Sequence, residues 1–434
     1  MAVSSNLVLL VTTLCLLFPA QSWAWQVKDL GWFLIRNPAF TAVEPRPGGV
    51  GGYDLSISTF SAIPGTLDSN YIVRDIAKQL VEENDVRQLN AEELDDGLFW
   101  PNEVGLVPED VFGVGGIRWS ATGFLLPSKR RGNVVLMDDS KDGGVGKSYD
   151  ITTWKCDMGL WFYHRVLWHD VNGDGRKDAI TARARFDFEY GLQKAEMVWL
   201  EHPEDPLNGN PWNINYMYDG PDAFFTFVNI DTPDGTFEAI ITPAYFSQTL
   251  FVHWIEGPST DWSKPERIYS RIIDAVVGES YFDAYIADVN RDGRIDVLVT
   301  ASSEVDGKLL TYEIPEDFRT DNWTRHVIAD GFVPILSQEG QGSPGIVLPI
   351  YERTDETDKK PLLLLTGDDD GKIYIFESAD YDDVNNWNYT ENIIFSVAGT
   401  IGAMSVQDID EDGYNEIFIP GYSVSRFHIF SFAP

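Results

Sequence analysis

The sequence predicts an all-β fold, a single β-propeller of seven blades of about 60 residues, with a small helical insertion near residues 71–94. Three observations predict it. Three acidic segments share the pattern D-x-[DN]-x-D-G-x-x-[DE], and their glycines, Gly175, Gly293 and Gly413, are 118 and 120 residues apart. Degenerate copies fall near the middle of each gap. Trp212, Trp262, Trp323 and Trp387 recur at corresponding places, each after a short apolar phrase ending in or near Glu. One Trp is ordinary core, but four in register mark a structural repeat.

Taken in chain order, Trp32–Arg36 is an apolar run far from any partner, and the last acidic loop leaves room for only two further strands. Pairing of the N-terminal run with the C-terminal strands would complete the last blade and remove an open edge. Gly51–Ser58 and Val114–Trp119 are glycine-rich turns running into alternating apolar residues, copies that have lost their acids. Between them, Ile72, Ile76, Leu80 and Val86 lie at near-helical spacing among acids and predict the insertion at 71–94. The intact loops follow at 170–178, 288–296 and 408–416, with weaker copies at 229–238 and 354–360.

The chain has 68 Asp and Glu against 32 Lys and Arg, a formal charge of -36. Such a field repels phosphate backbones and anionic membrane surfaces, so nucleic acid is not an expected partner. Residues 1–24 carry no charged side chain, contain an apolar run from Leu7 to Phe18 and end in Ser22-Trp23-Ala24, the pattern of a secretory signal peptide. The run is short for a membrane anchor, which is the alternative. The mature chain, 25–434, is therefore expected to be secreted and soluble, with no membrane partner after signal removal. Asn322 and Asn388 begin glycosylation sequons, Asn-Trp-Thr and Asn-Tyr-Thr. Of two cysteines, Cys15 falls in the signal, leaving Cys156 alone.

In the acidic loops, oxygens at positions 1, 3, 5 and 9 and a glycine at 6 suit a hard cation such as Ca²⁺. The expected ligands are Asp170, Asn172, Asp174 and Asp178; Asp288, Asn290, Asp292 and Asp296; and Asp408, Asp410, Asp412 and Glu416. The ion would be structural, and no organic cofactor is expected. The same residues could instead make metal-free Asx-turns. These loops resemble the FG-GAP or VCBS type of propeller repeat, found in integrin heads, some fungal lectins and several secreted enzymes. The resemblance covers nearly the whole mature chain and implies the fold, not the function.

In a propeller, the stretches preceding each innermost strand gather at one mouth. Here they read Leu160–His164, Asp222–Phe225, Glu279–Phe282 and Gln338–Gln341, aromatic and sparsely polar. Small apolar or aromatic substrates are the expected ligands. His164 and Glu279 are the candidates for proton transfer, with His169 beside them. Trp161, Tyr163, Asp222, Phe224, Tyr281 and Glu339 are the candidates for substrate binding. Any single aromatic here could equally pack between blades.

In length, blade number and the helical insertion, the layout resembles the secreted fungal hetero-Diels-Alderases that assemble tropolonic sesquiterpenoids. That resemblance implies dehydration of a hydroxymethyl tropolone to a quinone methide, followed by [4+2] addition to a humulene-type alkene. Two other readings stay open. The phrases Leu310–Pro315 and Asn322–His326 also resemble repeats of fungal sugar-dehydratase propellers, and a sugar-binding lectin without catalysis would share the fold. Blades that differ at the mouth argue against the lectin.

Overall fold

The computed structural model describes residues 25–434 apart from 84, 125, 127–128, 141–145, 153–159, 188, 258–259 and 336–339. The expected signal peptide, Cys156 and Glu339 lie outside the described residues. Seven four-stranded antiparallel sheets form the chain. Blade 1 comprises Pro38–Pro45, Tyr53–Thr59, Asp68–Val73 and Glu92–Leu98. Blades 2 to 6 begin with innermost strands Pro101–Leu106, Phe162–His169, Thr226–Thr232, Ser280–Ala287 and Val347–Ile350, and each continues outward in sequence order. The innermost strands meet their neighbours around the axis, and a bridge joins Phe40 of blade 1 to Ala403 of blade 7.

Blade 7 takes Ser405–Gln407, Glu416–Gly421 and Arg426–Ser431 from the C-terminus and its outermost strand, Lys28–Leu34, from the N-terminus. Phe33 stands opposite Phe427, their rings 5.2 Å apart and both buried. The alternation of apolar and polar residues in these strands sets the pairing, because a one-residue slip would turn Phe33 outward.

The insertion is smaller than its expected span. The helix runs from Ile76 to Glu83, while Ile72 belongs to the third strand of blade 1 and Leu94 to the fourth. Cross-strand pairing of Ile72 with Ser56 outweighs the helical spacing. Ile76 anchors the helix against Leu55, Ile57 and Val73.

Four innermost strands share a feature that no repeat alignment shows. At Ala39–Phe40, Asn102–Glu103, His164–Arg165 and Phe282–Asp283, two residues oppose one on the neighbouring strand. Each is a β-bulge, and each re-aims a side chain just inside the mouth. Arg118, fully buried, ties blade 1 to blade 2 through Glu44, Asp54 and Asp139 at 3.1, 3.0 and 3.3 Å.

Ring closure makes a stability prediction. Phe33→Ala should lower unfolding stability by about 3–5 kcal/mol, the range for deleting a buried Phe, read as a lower urea midpoint with unchanged slope. A midpoint like wild type would show that the terminal strand does not hold the ring shut.

Candidate functional site

Strand direction divides the connections between two faces. Those after the first and third strands of each blade, including all three acidic loops, emerge on one face. Those after the second and fourth emerge on the other, which is the mouth.

On the axis below the mouth, His164 is 7% exposed and caged by Phe40, Phe224 and Phe282, with ring centroids 5.2, 4.4 and 6.1 Å away. Its Nδ1 is buried with no hydrogen-bond partner. Burial, and secondarily the charge of Arg165, lowers the imidazole to about 3, so it stays neutral. Arg165 lies with its guanidinium 4.3 Å from the Phe224 ring and makes a bidentate pair with Glu103 at 2.6 and 2.8 Å. The bulges aim His164, Phe40 and Phe282 into this one layer.

Above it the wall is aromatic. Phe60, Trp100 and Phe124 stack at 4.0 and 4.4 Å, nearly parallel, and Tyr422 lies 5.3 Å from Phe60. On the far side Tyr245 stands 5.9 Å from Phe282. Burial pushes the Tyr245 phenol up to about 12, reinforced by the charges of Asp368, Asp222 and Asp369. Asp368 sits in a left-handed turn, φ 55°, between the second and third strands of blade 6. Its neighbours are committed: Asp369 accepts from Gly342 N at 3.0 Å and from Thr400, and Asp370 from Lys372 N at 2.9 Å and from Tyr374. Burial, then repulsion from those two carboxylates, raises Asp368 well above the ordinary carboxylate range.

The residues expected at the mouth separate. His164 and Phe224 meet on the axis. Asp222 is buried beside them, but its oxygens accept from Tyr245 N at 3.0 Å and Phe246 N at 2.9 Å, which makes it the clamp of the Tyr245 turn; burial raises it to about 7. Trp161 and Tyr163 pack between blades 2 and 3, Trp161 beneath the guanidinium groups of Arg183 and Arg185. Tyr281 is core between blades 4 and 5. Glu279 is spent on Arg325, at 2.7 Å, and on Lys308, at 3.4 Å, at blade 5's outer strands. His169 stacks on Phe227 and reaches Glu238 at 3.2 Å on the opposite face. Sequence reasoning missed Phe60, Trp100, Tyr245, Asp368 and Tyr422. The run Gly367-Asp-Asp-Asp-Gly371 was a visible signal, since glycines flank it at a turn between apolar strands. Two surface clefts of about 250 and 390 Å³, one beside His202 and Trp212 and the other beside Phe99 and Arg131, lie away from the axis.

In the acidic loops the first Asp accepts from the glycine N–H at position 6, over 2.9 Å at Gly175 and 3.0 Å at Gly293 and Gly413. Those glycines have φ between 87° and 89°, a conformation costly for other residues. In blade 7, Asp408, Asp410 and Glu416 each bring an oxygen within 4.8 Å of the others. Asp408 Oδ1 is buried without a partner, as a cation ligand would be. Burial, with like charges nearby, raises Asp178 to about 6 and Asp296 and Glu416 to about 7. Among the described residues only the blade 7 loop gathers three carboxylates this closely, and there a divalent cation would relieve the crowding.

No protein-family model and no curated protein sequence matches this chain. Among solved structures it is similar to the Dos1 propeller, at 9% identity and a TM-score of 0.42, with 93% of this chain and 95% of that chain covered. The periplasmic gluconolactonase PpgL of Pseudomonas aeruginosa aligns at 14% identity and a TM-score of 0.45, covering 84% and 86%. The Cps50 (Swd1) propeller of Myceliophteria thermophila aligns at 14% and 0.42, covering 91% and 98%. Likeness at this level is one of fold and says nothing of activity.

What the mouth can do follows from its charge states. A neutral imidazole can accept a proton, and a carboxyl group raised well above its ordinary range can donate one, here among aromatic side chains.

Calcium held in these loops would carry a pH signature. Asp178, Asp296 and Glu416 titrate higher folded than unfolded, so in metal-free protein their contribution is complete below about pH 4 and is lost as pH rises through 6–7. Calcium must displace those protons, so its stabilisation grows across the same window. The melting-temperature gap between calcium-loaded and chelator-treated protein should be small at pH 5 and wide at pH 8. A gap of zero at both would remove the metal.

Proposed function

We propose that this protein is a hetero-Diels-Alderase. It would dehydrate a hydroxymethyl tropolone to a quinone methide and join that to an alkene of a humulene-type sesquiterpene. The observation that supports this most is His164, unionised and with its Nδ1 unpartnered inside an aromatic cage on the axis, beneath a mouth walled by stacked rings. The layout resemblance to the tropolonic hetero-Diels-Alderases points the same way.

The chemistry asks little of the protein. An acid gives a proton to the leaving hydroxyl, the carbon–oxygen bond breaks and water departs. A base takes the proton of the tropolone enol, leaving a neutral quinone methide. Two bonds then form with the alkene, without any proton. Asp368, whose carboxyl burial raises well above the ordinary carboxylate range, takes the acid's role in this reading, and neutral His164 the base's. Phe60 and Phe124, at the two ends of the stack over Trp100, would border the tropolone ring. Holding both partners at near-attack distance in a dry site can supply about 7–11 kcal/mol of the barrier. In this reading calcium in the three loops is structural, stiffening the face opposite the chemistry.

A carbohydrate-active dehydratase or lyase is the second reading, because carboxylates Asp368 and Asp369 stand beside the aromatic wall, the pairing that sugar sites use.

The test is incubation of the purified protein with a hydroxymethyl tropolone and a humulene-type alcohol, following adduct yield and stereochemistry against an enzyme-free control. A faster reaction giving one stereoisomer is expected; parity with the control moves the weight to the sugar reading, which a glycan array then probes. His164→Ala should cut the rate by about 10²–10⁴-fold, the span of one general acid or base, while circular dichroism stays unchanged. With the imidazole lowered to about 3, the His164 base should remain active as pH falls from 7 to 5. A rate that halves near pH 6.5 would mean that a different, ordinary histidine is in use.

A further inference from the structure

The mouth face differs from the opposite face in two independent ways. Among the described residues, nine large apolar side chains that are well exposed sit in mouth-face connections, against three on the other face. They come from several blades, and include Ile63, Phe99, Tyr190, Val277, Val305 and Ile335. Val277 is 94% exposed, Val305 76% and Tyr190 72%, so these side chains pack on nothing in the chain. Scattered single apolar residues need no explanation, but tips from neighbouring connections around one opening do.

Charge divides the other way. The connections of the loop face contain 31 described Asp and Glu, those of the mouth face eight. Of those eight, Asp222 and Glu279 are buried, and Asp370 is buried and hydrogen-bonded. Arg36, Arg130 and Arg131 are the described cations within the mouth-face connections apart from Lys129, which is buried against Asp68. Set against the 15 described Lys and Arg of the loop-face connections and the four of the mouth-face connections, these carry -16 and -4, so the charge that argues against a membrane partner is greater on the opposite face. Both glycosylation sequons, at Asn322 and Asn388, are exposed on that opposite face too. Sugars attached there would leave the mouth face bare. Among the described residues no helix is long and apolar enough to cross a membrane.

We propose that the mouth face docks on a zwitterionic lipid surface, with the apolar loop tips entering the headgroup layer and the acidic loop face turned to water. The charge division fixes the orientation, since carboxylates lose hydration if brought to a bilayer and apolar tips gain by it. The mouth then opens directly onto the lipid. The proposal rests on the functional reading only for its purpose: a sesquiterpene partitions into lipid, and an enzyme seated there takes it without passage through water.

Co-sedimentation with phosphatidylcholine vesicles tests the docking without any activity measurement, so its failure and that of the functional reading are separable. The wild-type protein should sediment with vesicles, and the double variant Val277→Asp, Val305→Asp should lose about tenfold in partitioning, because each tip would carry a charge into the interface. The two sites are exposed, so the melting temperature should not move. A wild-type protein that stays in the supernatant overturns the proposal, as does a double variant that binds like wild type. Concentration-dependent dimerisation in sedimentation velocity, abolished by the same two substitutions and unaffected by vesicles, would assign the face to a second copy instead and overturn the lipid assignment.

Discussion

The structure depends on one seam, the pairing of Lys28–Leu34 with Arg426–Ser431. Six blades are built from consecutive strands and would stand in an open arc, with an uncovered blade face at each end. Blade 7 draws from both termini, so the ladder between them turns the arc into a ring, and Phe33 against Phe427 buries that join. Only a closed ring brings Phe40, His164, Phe224 and Phe282, from four different blades, within contact of one another. The axis layer is a consequence of closure, since no pair of adjacent blades contains it.

Closure also sets the electrostatics. Side chains on the axis are taken out of water by neighbours on every side, and the resulting desolvation acts in opposite directions on acids and bases. It keeps His164 neutral, raises Asp222 to about 7 and raises Asp368 well above the ordinary carboxylate range. A chain with a formal charge of -36 thereby keeps an uncharged imidazole on its axis, beside the Arg165–Glu103 ion pair. Its ionised carboxylates are concentrated on the other face, in loops where metal or backbone N–H groups can meet them.

The fold was legible because the repeat was written in residues whose chemistry fixes local geometry. Gly175, Gly293 and Gly413 take positive φ as the pattern required, and the apolar runs after each loop are the second strands of blades 3, 5 and 7. The insertion was only partly legible, since Ile72 fits a helix by spacing and a strand by its partner, and partners are not local information. Of the site, His164, Phe224 and Asp222 could be placed near the axis from the segments that precede innermost strands. Trp161, Tyr163 and Tyr281, from the same segments, turned into the spaces between blades.

By itself the sequence determined the class, the repeat, the order of the blades, the cation-shaped loops and the apolar closing strand, because each is a property of residues close in the chain or of their period. Tertiary structure alone decided which aromatic of each mouth segment faces the axis. In a regular strand alternate residues face opposite sides, and that parity can be counted from any known partner. A bulge at His164–Arg165 and another at Phe282–Asp283 break the count where it matters. The bulges answer to the packing of a closed ring, and that ring exists only once residue 33 has met residue 427.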